Sequence, residues 1–128
     1  MKLEKIHHVA IICADYEKSK EFYTKILGFK VISEVYREER ESYKLDLGVG
    51  DYFQIELFSF PEVPARASYP ESAGLRHLAF AVKDLSAHVD YLASQGLKVE
   101  KIRIDPLTEK RFTFFADPDG LPIELYEE

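Results

Sequence analysis

Four side chains in this sequence are polar where a β-strand would carry carbon: His8 in KIHHVAI, Glu56 in QIELF, His77 in LRHLAFAV and Glu124 in PIELYE. Successive strand residues point to opposite faces, so His8 shares a face with Ile6, Ala10 and Ile12, while Glu56 and Glu124 point away from the Ile and Leu flanking each of them. A carboxylate among such neighbours is costly to bury unless it is hydrogen-bonded, paired with a cation or bound to a metal. Imidazole and carboxylate both ligate first-row divalent ions, and a two-His, two-Glu set suits Zn²⁺, Ni²⁺, Co²⁺, Mn²⁺ or Fe²⁺ better than Ca²⁺. Taken singly, a strand histidine is more often a hydrogen-bonded structural residue, and a strand glutamate more often faces water. Their repetition changes that weighing.

The chain reads nearly the same twice. A shift of 69 places His8 on His77, Ala10 on Ala79 and Asp15 on Asp84, and a shift of 68 places Ile55-Glu56-Leu57 on Ile123-Glu124-Leu125. In the first module, residues 5–58, a strand over Lys5 to Ala14 leads to Asp15, an N-cap candidate. A helix follows with Tyr16, Tyr23 and Ile26/Leu27 on one stripe and Gly28 at its end. Three strands are predicted next, at Val31 to Tyr36, Tyr43 to Leu47 and Tyr52 to Phe58, the last two joined by a turn at Gly48 to Asp51. Residues 59–74, with Pro61, Pro64 and Pro70, read as a linker.

The second module, residues 75–127, repeats the order. A strand at Leu75 to Val82 precedes the cap candidate Asp84 and a helix carrying Leu85, Val89 and Leu92, which ends at Gly96. Strands at Val99 to Ile104, Arg111 to Ala116 and Leu121 to Tyr126 follow, the last two joined through Asp117-Pro118-Asp119-Gly120. The predicted class is α+β: two βαβββ modules, each too small to bury its sheet well alone, paired so that one His and one Glu from each meet in a single cleft. A structural His and Glu copied by duplication, without any metal, is the competing reading.

Composition excludes other classes. With 17 Lys+Arg against 23 Asp+Glu the net charge is −6, the reverse of the basic stripe that a nucleic-acid partner requires. The apolar run Val9 to Ala14 is far too short to span a membrane. Cys13 is the one cysteine, so no intramolecular disulfide forms, which fits a reducing cytoplasm, and it reads as a packing residue. His7 and His88 have no counterparts in the repeat and read as surface or packing residues. Neither a phosphate-cradling glycine loop nor a nucleophile beside a base is present. Arg37, Arg40 and Lys44 read as part of a solvated face with Glu38, Glu39 and Glu41. Arg103, Lys110 and Arg111 share that reading, with the sharper alternative that they line the cleft and hold an anionic substrate group.

These residues resemble the vicinal oxygen chelate superfamily and, within it, the short bacterial relatives of glyoxalase I (lactoylglutathione lyase). The likeness is carried by His8, by Glu21-Phe22-Tyr23 followed by Leu27-Gly28-Phe29, by Glu56, by His77, and by the Asp117-Pro118-Asp119-Gly120 turn leading to Glu124, and it covers almost the whole chain. It implies a mixed sheet curled around one divalent ion, with Ni, Zn or Co first in line and waters completing six-coordination. It implies a homodimer in which the modules lining a cleft can come from different chains. Carried over by position, His8, Glu56, His77 and Glu124 are the metal ligands, Glu124 the base that moves a proton through an enediolate, and Glu56 the carboxylate opposite. The substrate implied is a small α-hydroxy or α-keto compound, in glyoxalase I the hemithioacetal of methylglyoxal and glutathione. Ile12 stands where that family grips glutathione with Arg, and Phe60 where it uses Asn, so the resemblance carries the metal chemistry further than glutathione or another thiol. Alternatives within the fold are an epimerase, a dioxygenase, and a metal-free drug-binding protein that would use Phe53, Phe58, Phe60, Phe112, Phe114 and Phe115.

Overall fold

The computed structural model describes residues 1–51 and 53–128 and, at Phe53, the backbone. Tyr52, where the sequence predicts the fourth strand to begin, lies outside the described residues. The chain divides into two compact units, Met1–Ala65 and Arg66–Glu128.

The first unit contains β1 (His8–Cys13), α1 (Tyr16–Glu21) continued by a wider π-helical turn (Phe22–Ile26), β2 (Lys30–Arg37), a short 3-10 turn (Glu38–Arg40), β3 (Ser42–Val49) and β4 (Phe53–Ser59). Its sheet runs in the order β1-β4-β3-β2, with β1 parallel to β4 and the other pairs antiparallel. The second contains β5 (Leu78–Val82), α2 (Leu85–Ser94), β6 (Arg103–Ile104), β7 (Arg111–Ala116) and β8 (Pro122–Glu127). Its order, β5-β8-β7-β6 with β5 parallel to β8, is the same. The α+β class and the repeated βαβββ order are as the sequence predicts.

Both helix starts follow from their caps. Asp15 Oδ1 accepts from the Lys18 amide at 3.1 Å and Asp84 Oδ1 from the Ala87 amide at 3.0 Å, each satisfying a donor that the helix cannot. Gly28 and Gly96 end the helical segments at φ +73° and +81°, where a Cβ would be strained. Alternation then sorts each sheet. In the first unit Ile11, Cys13, Leu45, Leu47, Ile55 and Leu57 are buried together with Tyr16, Phe22 and Tyr23 of the helical segment. In the second, Leu85 and Leu92 of α2 are buried along with Thr113, Phe115, Ile123 and Leu125. Each such apolar side chain contributes about 1.5–3 kcal/mol when fully buried. The opposite face carries Glu56 in the first sheet and Glu124 in the second.

Four predicted boundaries need correction. The single helix up to Leu27 is an α-helix that widens, because the Leu27 amide reaches the Phe22 carbonyl five residues back at 3.0 Å. The wider turn brings both Phe22 and Tyr23 inward, edge to face at 5.0 Å. The strand expected at Val99 to Ile104 forms a regular ladder only at Arg103–Ile104; at Glu100 the amide still donates to the Phe114 carbonyl of β7 at 2.8 Å, but the Glu100 carbonyl accepts from the Thr113 hydroxyl at 2.7 Å rather than from a ladder amide. β5 begins at Leu78 rather than Leu75: the Arg66 guanidinium donates to the Leu75 and Arg76 carbonyls, at 2.9 Å each, and holds them out of the ladder. β1 likewise begins at His8 rather than Lys5.

Candidate functional site

In the first unit, β1 pairs with β4 so that His8 lies opposite Gln54 and Ala10 opposite Glu56, all on the face away from α1. His8 Nε2 stands 3.5 Å from Glu56 Oε2. The Glu56 side chain is only 13% exposed, so its charge requires partners, and the neighbouring strand supplies a second one. Lys44 Nζ lies 3.3 Å from Glu56 Oε1 and 2.7 Å from Asp46 Oδ1, and Ser33 donates to Asp46 at 3.1 Å. The hydrogen bond to Asp46, with Glu56 beside it, raises the Lys44 ammonium above its ordinary pKa. His8 Nδ1 is 2.8 Å from His7 Nδ1, so one ring donates to the other and Nε2 of His8 is directed at Glu56. A cavity of about 220 Å³ opens nearby, bordered by Lys5, His7, Asp51 and Gln54.

In the second unit the arrangement returns with different neighbours. His77, just before β5, places Nε2 3.1 Å from Glu124 Oε2, and Glu124 is again only 13% exposed. The His77 ring meets Phe114 edge to face at 5.1 Å, Phe114 meets Phe112 in the same way at 6.1 Å, and Phe112 stacks on Tyr126 at 6.3 Å. Arg103 covers Phe112 and Phe114, at 4.9 and 5.6 Å, and pairs with Glu100 at 3.1 Å.

The donor sets can be tested against a metal directly. Two ligands each about 2.1 Å from a first-row ion lie roughly 3.0 Å apart at an octahedral angle and roughly 3.4 Å apart at a tetrahedral one. The observed 3.1 and 3.5 Å separations match, so each pair fits as two ligands of such an ion. Neither unit gathers three metal-ligating side chains among its described residues. A four-ligand centre needs both pairs.

The three cations singled out in the sequence have different fates. Arg103 lies on the Glu124 face, through its contacts with Phe112 and Phe114. Arg111 points to the helix side, donating to both Glu127 oxygens at 2.7 and 2.6 Å and to Ser86 of α2 at 3.1 Å. Lys110 is exposed at the end of the loop before β7. His88 is a helix residue whose Nδ1 lies 2.6 Å from the Asp84 carbonyl. Sequence reasoning missed His7 and the Lys44–Asp46 pair. His7 precedes β1, where alternation gives no guidance, and Lys44 is brought to Glu56 only by the β3–β4 register.

A model of the glyoxalase/bleomycin resistance protein/dioxygenase superfamily matches residues 5–125. The chain is 62% identical over 128 residues to the uncharacterized protein YwkD of Bacillus subtilis, covering 100% of both chains. It is 30% identical over 134 residues to the probable lactoylglutathione lyase of Vibrio cholerae, covering 99% of this chain and 93% of that one. The crystal structure of a glyoxalase family protein from Enterococcus faecalis superposes with a TM-score of 0.92 at 47% identity, covering 99% of this chain and 100% of that one.

Proposed function

Because the chain belongs to the glyoxalase/bleomycin resistance protein/dioxygenase superfamily, we propose that it is a divalent-metal-dependent lyase or isomerase that shifts a proton next to a carbonyl in a small α-hydroxy or α-keto compound. The observation that carries this reading is the repeated pair: in each unit a histidine Nε2 lies within 3.5 Å of a glutamate oxygen on the sheet face turned away from the helix. His8, Glu56, His77 and Glu124 would hold the ion. A divalent ion bound there supplies Lewis-acid stabilisation of the negative charge that develops on oxygen when the adjacent carbon loses its proton.

The roles of the two carboxylates follow from their neighbours. The Lys44 ammonium pins Glu56 in place, whereas Glu124 is set beside aromatic rings and its only cation-capable partner among the described residues is His77. Glu124 would therefore be the carboxylate with the freedom to collect the proton, and Glu56 the one held in place to bind the ion. The similarity to a probable lactoylglutathione lyase supports the reaction class. At the positions where glyoxalase I grips its thiol, this chain has the apolar side chains of Ile12 and Phe60, which favours a substrate without glutathione.

Titration with Co²⁺, followed by visible absorption, tests the centre. One ion is expected per set of two histidines and two glutamates, with affinity falling at least tenfold in His8→Ala and in His77→Ala. Wild-type binding no tighter than that of a variant carrying both His8→Ala and His77→Ala would overturn the proposal.

A further inference from the structure

Of the six arginines in the chain, four have a carboxylate or a backbone carbonyl as partner. Arg66 donates to the backbone carbonyls of Leu75 and Arg76, Arg76 pairs with Glu71 at 3.6 Å, Arg103 with Glu100 and Arg111 with Glu127. Arg37 and Arg40 have no carboxylate partner among the described residues. Arg37 donates from Nη2 to the Ser42 hydroxyl at 2.7 Å, while its Nε is buried with no acceptor. Its guanidinium lies 4.9 Å from the Phe58 ring centroid and 6.0 Å from that of Phe60, and Arg40 lies 5.9 Å from the same Phe60 ring. The two phenyl rings are themselves stacked at 6.4 Å. Two like charges are thus brought to one ring with no carboxylate beside them among the described residues, an arrangement that favours an oxyanion able to accept from both. Glu38, Glu39 and Glu41, in and beside the exposed 3-10 turn, form no ion pair with either guanidinium.

The register places this patch on the face of the candidate centre. Val35 lies opposite Lys44 and Lys44 opposite Phe58, so Arg37, two residues beyond Val35, shares a face with Phe58, and Phe58 shares it with Glu56. At about 3.3 Å per strand residue, Phe58 and Phe60 stand roughly 7 and 13 Å along from Glu56. Lys44 is closer to Glu56, but Asp46 and Glu56 already neutralise it.

We infer that Arg37 and Arg40, floored by Phe58 and Phe60, bind the terminal oxyanion of the substrate, a phosphate or carboxylate joined by an apolar or aromatic stretch to the oxygens that react beside Glu56. The inference takes its orientation from the proposed function, but the anion site itself stands without the metal. The test is therefore made on protein freed of metal by a chelator. Phenyl phosphate, benzoate and phenol are titrated while the Arg37 Nε–H and the amides of Ser42 and Phe60 are followed by ¹H–¹⁵N NMR. Phenyl phosphate or benzoate should shift these signals, the tighter of the two identifying the oxyanion, and phenol should not. Affinity should fall at least tenfold in Arg37→Gln and in Arg40→Gln, the latter at an exposed position that leaves the fold intact, and Arg37→Lys should be intermediate. Co²⁺ binding should be unchanged in both Gln variants. Equal anion binding by wild type and variants, or phenol binding as tightly as phenyl phosphate, would overturn the site, whereas failure of the wild type to bind Co²⁺ while it still binds the anion would overturn only the metal reading.

Discussion

Glu56 and Glu124 stand at equivalent points of two repeats, each opposed on the antiparallel neighbouring strand by a different residue: Asp46 in the first unit and Phe114 in the second. One step further along, Lys44 faces Phe58 where Phe112 faces Tyr126. The histidine and glutamate are retained in both halves, as is the alanine opposite each glutamate, whereas on the antiparallel neighbour the charged Asp46 and Lys44 of one half stand where the other has Phe114 and Phe112. A duplicated sheet thus keeps its histidine–glutamate pair while its halves diverge electrostatically, one carboxylate held by an ammonium and the other set against rings. Equivalence of place does not mean equivalence of task.

The strongest way to break this comparison is to neutralise each carboxylate in turn. Glu124→Gln is expected to lower turnover by about 10²–10⁴ while much of the bound metal remains, whereas Glu56→Gln is expected to act first on metal content. Parallel steady-state kinetics and elemental analysis read the difference, and equal effects at both sites would abolish the asymmetry. Next in size is the shared framework. Leu57→Ala, at a position with 0% exposure, should cost about 2–5 kcal/mol in urea unfolding, with Leu125→Ala, at 7%, toward the lower end.

A smaller effect sharpens the role of Lys44. Its ammonium competes with any ion for the Glu56 carboxylate, so Lys44→Met should tighten Co²⁺ binding by roughly tenfold at low ionic strength, and less at high salt. Phe112→Met, at the corresponding place, should leave it unchanged. The smallest effect concerns the helix side of the second unit. Arg111, followed by the Leu85 amide, holds the Glu127 carboxyl down to about 2 from its ordinary 4.5. A carboxyl depressed on folding stabilises above its unfolded pKa and loses that contribution as pH falls to the folded one. The stability deficit of Glu127→Gln should therefore be constant above about pH 4.5 and vanish near pH 2, as thermal unfolding across that range would read.

The pattern of alternation made the four candidate ligands legible, because a polar residue between Ile and Leu is anomalous wherever the strand lies, and the repetition made two anomalies one. The helix caps were legible for a similar reason: Asp15 and Asp84 act on amides three residues away, within reach of local sequence. What was not legible depends on register or on distant donors. Lys44 reads as one more surface charge until β3 is laid against β4. The start of β5 is set by Arg66, nine residues before Leu75, and the irregular pairing before β6 involves a hydroxyl on β7 that donates to the Glu100 carbonyl. Arg40 is exposed as the sequence predicts, but among the described residues neither it nor Arg37 pairs with the glutamates beside it in sequence, because side-chain direction, not sequence proximity, decides who pairs with whom.

The rim strands carry a further consequence. β6 is two residues long, and a rim so brief offers a neighbouring chain almost no ladder to extend. β2 spans eight residues with Val31, Ile32 and Val35 more than half exposed, so it is a far better template for strand addition. Misassembly under heat or crowding should consequently nucleate in the amino-terminal half, and a lysine introduced at Val35 would act as a guard against it.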